Sequence, residues 1–491
     1  MTLPVIIAAV NRPSKLALVL LPALLLCAVS CRKSSSLPAD TRTAAADQAC
    51  REKWGKGLDQ MDTETLEVLS AHSENILDEF EWAFSLHHAM EHGKKVTFIR
   101  RSAGGGGNSN QAYLLNVYGS VDRFGKRGNP QVDILWGGGD APFIDMARGL
   151  PDTGPLLEKL SLDQDVLANI PPQYAGIALY DRDLRWVGSA LSGFGILYNK
   201  GMLARCGIAP PTGWQDLGDA RFTGLLELAD PSQSSSAAAT YRSVAISAPT
   251  WPEGWARLMP ILGNAKKISD SSSAAVNAPA LGEALVATCV DFYGTMRAIE
   301  APDQLEYFTP SEPAIFAPDP IAVLHDPPNP ELAREFVRFV LSRQGQALWA
   351  LGVGQPVGPV RRALGRQPIR RDIYQLQAGH MLPYIVNPYA QGQVLDLPPE
   401  KRAINFNVLK ELVYQAAVAN QEGLFKARQA VARRPELMKE FVRLPENVAT
   451  IEGMSAAARD LKDKSRLDDL RRKWRDFFEK KYERVSGKKG S

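Results

Sequence analysis

The stretch TLEVLSAHSENILDEFEWAFSLHHAMEHGKKVTFIRR changes its hydrophobic period twice. Leu66–Leu69 reads as a strand, and Ile76, Phe80, Ala83, Phe84 and Met90 then share one face of a helix. Val96–Ile99 returns to strand. Ser73 suits the N-cap, Glu74 the first turn and Gly93 the stop. Strand, helix and strand at this spacing predict a βαβ unit, hence a parallel sheet. Ligands in such sheets sit beyond the carboxyl ends of the strands, so SAHSE and RRSAGGGG are pocket candidates by position.

Further strands follow at VDILW (132–136), which puts WGGG on the same edge, and at Phe194–Tyr198. ELADPSQSSSAAATYR (227–242) reads as a strand, a proline turn and a serine-rich helix start. LVATCVDFYG (285–294) reads as a strand ending in polar and aromatic residues. NPELAREFVRFVLSRQGQALWALG (329–352) is helical, with Pro330 at its first position and Leu332, Phe336, Val337, Val340 and Leu341 inward. From about residue 400 the pattern is helical throughout. In RDLKDKSRLDDLRRKWRDFFEKKYERVSGKKGS, Leu467, Leu470, Trp474, Phe477 and Phe478 keep helical spacing, as in a charged helix packing one face on the body.

The N-terminus has a different grammar. Arg12 and Lys15 precede the apolar run LALVLLPALLLCAVS, and Cys31 follows. This is the layout of a secretory signal, and the run is too short for a membrane span. AVSC resembles the lipobox of bacterial lipoproteins, which makes Cys31 the expected lipidated first residue of an exported, membrane-anchored chain. Ala28 stands where lipoboxes favour leucine. Residues 32–64, rich in Ser, Ala and charge, read as a flexible linker with room for a short helix.

The chain has 491 residues and a net charge of +3, enough length for two or three domains and no argument for nucleic acid. Cys50, Cys206 and Cys289 form no metal or disulfide pattern. Cys206 and Cys289 read as small buried thiols, while Cys50 lies in a polar segment. WGGG lacks the Lys-Ser/Thr ending of a phosphate-binding P-loop, and GGGGNS (104–109) and GVGQPVG (352–358) fail likewise. His88 and His92 stand four apart on the first helix, but no third ligand is near in sequence. No metal and no cofactor are expected, and neither GxSxG nor HExxH is present.

The order LSAHSENILDEFEWAF, VDILWGGG, GILYNKGML, PPTGWQDLGDARFTGLLELADPSQSSSAA, GEALVATCVDFYG and PDPIAVLHDPPNPELAREFVRFVLSRQGQALW resembles the bacterial extracellular solute-binding proteins of ABC importers. The resemblance covers about residues 65–375 and lies nearest the branch of ferric-iron, polyamine, thiamine and sugar-phosphate receptors. It implies an α/β type II periplasmic-binding fold of two lobes with a hinge and a central cleft, and no catalysis. The expected lobes are 65–185 with 305–355 and 186–304 with 356–430, followed by a charged helical extension at 431–491.

Family ligand loops map onto Ser70, His72, Arg101, Ser102, Gly137, Gly138, Ser192 and Gly193 on one side. Ser234, Ser235, Asp291 and Tyr293 are their counterparts across the cleft. The ferric receptors carry tandem tyrosines, whereas this chain has Phe292 beside Tyr293, which argues against Fe³⁺. A cation, hydroxyls, glycine amides and helix N-termini favour an anionic organic solute such as a sugar phosphate. The expected partner is an ABC permease, and the expected state a monomer. The alternatives are a ligand receptor for a membrane sensor kinase, and ferric-iron or polyamine binding.

Overall fold

The computed structural model describes residues 41–487 apart from 105, 122–124, 127, 175, 311–315, 383 and 390–396. The signal segment and the lipidation expected at Cys31 lie outside the described residues. The described residues from Arg42 onward form one compact unit.

Two sheets carry the chain. In the first, β1 (Thr63–Ser70) lies between β2 (Lys95–Arg101) and β3 (Ile134–Trp136) and runs parallel to both, with Leu66 opposite Phe98 and Ser70 opposite Trp136. The short hairpin β4 (Gln173–Tyr174) and β5 (Ile177–Ala178) stands apart. β6 (Val187–Ser192), β12 (Ala317–Val323) and β13 (Gln367–Pro368) complete the first sheet, in the order β13-β6-β12-β3-β1-β2. The second sheet has the order β11-β7-β10-β8-β9, built from β7 (Phe194–Asn199), β8 (Leu226–Ala229), β9 (Ala265–Ser269), β10 (Val286–Val290) and β11 (Leu305–Phe308).

The chain therefore changes sheets twice, at Gly193 between β6 and β7 and again between β11 and β12. The crossings differ from the lobe boundaries read from sequence. β6 and β13, expected in the second lobe, pair into the first sheet, and β11, expected in the first, pairs with β7. β6 and β7 are buried at every position, so their side-chain pattern carries no sheet assignment. DFYG, read as a strand end, instead opens the helix Asp291–Glu300.

The βαβ start is as expected, with the helix Glu74–His92 ended by Gly93 in the left-handed region at φ 70°. Phe80 and Phe84 face a core of Trp136, Phe336 and Trp349, with Phe80 and Trp136 edge to face at 5.0 Å. Part of the segment read as a linker forms the helix Thr41–Trp54, whose Cys50 is buried against Met61 and Ala89. Cys206 is exposed rather than buried, because it ends a short helix at the surface, while Cys289 is buried in β10.

The C-terminal helices pack on the second lobe. Lys464–Ser486 buries Leu470, Trp474, Phe478 and Tyr482, with Phe478 5.9 Å from Trp255 and Tyr482 Oη donating to Ala416 O at 2.7 Å. Lys481 is buried on the same face, donates to Arg443 O at 3.0 Å and lies over the Phe478 ring. Burial holds its ammonium well below the ordinary lysine pKa. Phe478→Ala leaves a cavity between this helix and Trp255 and is expected to cost about 3–5 kcal/mol in urea unfolding, far from the cleft.

Candidate functional site

WGGG turns the chain at the end of β3. Gly137, Gly138 and Gly139 all have positive φ, at 79°, 102° and 82°. A Cβ at Gly137 would lie 2.7 Å from His72 Nε2, and one at Gly138 2.5 Å from Gly107 Cα. Their amides are already engaged: Gly137 N–H donates to Pro320 O at 2.8 Å, and Gly138 and Gly139 donate to Asp319 Oδ1 at 2.8 and 3.3 Å. The glycines thus frame a buried carboxylate, a role the sequence reading did not give them.

Asp319 sits on β12, and its second oxygen is as heavily engaged. Oδ2 accepts from His72 Nε2 at 2.7 Å and from Arg366 Nη1 at 2.6 Å. Arg366 Nη2 donates to Ser192 Oγ at 2.6 Å, and the guanidinium lies over Phe292 and Trp349 at 4.3 and 5.1 Å. Burial alone would raise the Asp319 pKa, but Arg366 and His72 outweigh it and hold the carboxyl well below the usual range. Burial depresses His72 below the ordinary imidazole range against the pull of Asp319. His72 Nε2 faces Asp319, and its buried Nδ1 has no hydrogen-bond partner.

Above this network lies a cleft of about 510 Å³ between loops of the two sheets. Four helices begin at its wall: Gly107–Gly119, Asp140–Arg148, Ser235–Ile246 and Ser272–Leu281, and their cap residues Gly106, Gly139, Ser234 and Ser271 all line it. Ser234 Oγ caps its helix by accepting from Ala237 N, and Ser271 Oγ accepts from Ala274 N. Ser272 Oγ joins the two helix starts at 2.8 Å from Ser234 Oγ and 3.0 Å from Ser236 Oγ. Ser235 Oγ donates to Gly138 O at 2.7 Å, linking the second lobe to the first. Asp140 and Asp270 also face the cleft. Burial raises the Asp140 pKa against the field of Arg242.

Of the positions read from sequence, His72, Gly138, Ser192, Ser234, Ser235 and Tyr293 line the cleft. Ser70 lies beneath it, donating to Trp136 O at 2.9 Å and accepting from His72 N at 3.0 Å. Gly137 is packed behind His72. Gly193 and Asp291 pair with each other at the first crossing, N–H to Oδ2 at 2.7 Å. Arg101 turns away to Glu67 at 2.9 Å, and the exposed Ser102 accepts from Gly104 N at 3.2 Å. Neither belongs to the lining. The sequence reading missed Asp319, Arg366 and Ser271–Ser273. Two weak signals were available: an acid between prolines in APDPIAV, and SDSSSAA echoing PSQSSSAA.

Residues 132–368 of this chain match the model of the family described as bacterial extracellular solute-binding protein. Its fold is the type II periplasmic-binding fold. The periplasmic binding protein AfuA of Actinobacillus pleuropneumoniae, solved with fructose-6-phosphate, shares it at a TM-score of 0.52 and 20% identity, covering 75% of this chain and 97% of AfuA. The periplasmic binding protein P5PA matches at 0.52 and 21%, over 70% of this chain and 94% of its own. The phosphoglycerate transport regulatory protein PgtC of Salmonella typhimurium is 31% identical over 176 residues, 35% of this chain and 43% of PgtC. That alignment spans less than half the length of the curated relative. Family and fold are those of binding proteins rather than enzymes. No helix among the described residues is long and apolar enough to cross a membrane.

Two outcomes follow from the buried charges. Arg366→Met strands the Asp319 carboxylate and is expected to lower stability by about 3–5 kcal/mol in denaturant unfolding, more than a surface Arg→Met control such as Arg459→Met. Asp291 is raised to about 7 by burial, against the bonds from Gly193 and Phe292 and the field of Arg366. A raised folded pKa means the native state binds the proton more tightly, so this group's stabilisation is present below about pH 4 and lost as pH climbs to about 7. Asp291→Asn should remove that slope, so its stability relative to the parent rises across pH 4–7 in parallel melts.

Proposed function

We propose that this chain captures a small anionic organic solute, a phosphorylated sugar or sugar acid, in the cleft and presents it to a membrane permease of an ABC importer. The carrying observation is the four helix N-termini at one cavity wall. Each brings the positive end of a helix dipole to that wall, and together they favour a multiply charged oxyanion. The hydroxyls of Ser234, Ser236 and Ser272 add adaptable donors on the same wall. No free arginine is needed: Arg366 is neutralised by Asp319, so it organises the pocket while the helix ends supply the field. Asp140 and Asp270 suit the hydroxyls of a sugar or hydroxy acid beside the phosphate.

The names of the similar proteins support the same class, since one was solved with fructose-6-phosphate and another is named for phosphoglycerate transport regulation. Fe³⁺ fits less well, because Phe292 occupies the position of a second phenolate. His72 faces Asp319 and Arg366 rather than a hydroxyl, which supports binding over hydrolysis. Export through the N-terminal signal, a lipid tether at Cys31 and a monomeric state complete the reading. A second reading, a receptor feeding a sensor kinase, draws on the word regulatory in the name of PgtC.

Titration calorimetry on the mature protein tests the ligand class. Fructose 6-phosphate or 3-phosphoglycerate is expected to bind at micromolar Kd or tighter, at least about 100-fold better than fructose or glycerate. Tight binding of Fe³⁺ or spermidine, with no heat from any phosphate ester, overturns the proposal.

A further inference from the structure

We propose that His88, His92 and Glu335 form a binding site for one Zn²⁺-like transition-metal dication on the outer flank of the first lobe, separate from the solute cleft. His88 and His92 project from one face of the Glu74–His92 helix, near its C-terminal end. The third ligand, out of reach in the local sequence, comes from the helix Pro330–Leu341. Glu335 Oε1 lies 2.9 Å from His88 Nδ1 and 3.3 Å from His92 Nε2, and the candidate ligand atoms are all within 4.8 Å of one another. A tetrahedral Zn²⁺ with bonds of about 2.1 Å keeps its ligands about 3.4 Å apart, so these side chains already stand near that spacing. Two imidazoles and one carboxylate are a ligand set that Zn²⁺ uses with a water in the fourth position.

A second observation concerns the far side of His88. Its Nε2 lies 3.2 Å from Glu64 Oε2, and Glu64 Oε1 is in turn 2.6 Å from Lys94 Nζ. With the Nε2 proton directed to Glu64, the Nδ1 lone pair points at Glu335 and is available to a metal. A carboxylate behind a ligating histidine fixes its tautomer and raises its basicity, as is usual around metal sites. The supports are rigid, since Phe84 packs against Phe336 and Phe339 at 5.1 and 5.5 Å and locks the two helices together. Access is also graded: the His88 and Glu335 side chains are 5% and 14% exposed, while His92 is 53% exposed and gives an entry path. The site lies roughly 25 Å along the helix from the cleft end, at 1.5 Å per residue. A bound ion would clamp the outer layer of the first lobe without touching the solute.

The test uses the tag-free mature chain, stripped with chelator and titrated with ZnCl₂ by calorimetry, with Co²⁺ absorption as a second readout. One equivalent is expected, with a tetrahedral Co²⁺ spectrum displaced by Zn²⁺. His92→Ala, at an exposed position, and Glu335→Gln should each weaken binding at least about 10-fold, and Glu64→Gln about 10-fold through the histidine. Circular dichroism checks that the variants stay folded. No uptake up to about 100 μM Zn²⁺, well weaker than dedicated sites, overturns the proposal, and so does uptake equally strong in H92A and E335Q.

Discussion

The architecture depends on one buried carboxylate. Asp319 places Oδ1 against the amides of Gly138 and Gly139, and Oδ2 against His72 and Arg366. Five segments distant in sequence meet there: the loop after β1, the loop after β3, the strand β12, the entry to β13 and, through Arg366 and Ser192, the end of β6. A charge this deep is tolerated only when its lone pairs are answered, and two amides, an imidazole and a guanidinium do so. Below it, Trp136 meets His72 edge to face at 4.6 Å and Trp349 covers Arg366, so an aromatic floor keeps water from the pair.

That arrangement assigns the electrostatic roles around the cleft. Because Arg366 is matched by Asp319, the network adds little net charge to the cavity, and the field facing a solute comes from helix ends. Such a field is directional and built into the backbone, so it is set without side-chain reorganisation. The serines around Ser272 complement it: hydroxyls rotate to suit a ligand, and their bonds between the helices starting at Ser235 and Ser272 keep those ends together.

How much of this could be read from sequence depends on the range of the interaction. Local periodicity placed the Glu74–His92 helix and its flanking strands because each rests on contacts within a few residues. Because strand-to-helix loops reach the carboxyl edge of a sheet, it also marked the SAHSE and WGGG loops with His72 and Gly138 as pocket candidates, and the family resemblance added Ser234. It misjudged Arg101, because a loop position does not say where a long side chain turns, and Glu67 was the nearer partner. Asp319 and Arg366 were illegible for a different reason. Asp319 is a lone charge in an apolar run and Arg366 one of several arginines in RRALGRQPIRR, and only tertiary pairing across 247 residues to His72 gives Asp319 a meaning. The histidine pair at 88 and 92 shows the same limit, since Glu335 joins it from a helix that sequence places elsewhere.

The position of the ionic network also bears on motion. The chain changes sheets beside Ser192 and again just before β12, which carries Asp319, so the buried charges stand at both crossings. Asp291, receiving Gly193 N–H, ties the second sheet to the same point. Charged groups held by several short bonds resist displacement, so this region holds a fixed geometry. Farther out, Ser235 Oγ donates to Gly138 O between the two lobes. A single neutral hydrogen bond contributes only about 1 kcal/mol, small enough for a solute bridging the same loops to decide which state prevails. Fixed charge at the crossings and weak polar contact at the rim are the division that a two-lobed receptor needs, because binding energy then acts on closure instead of on the fold.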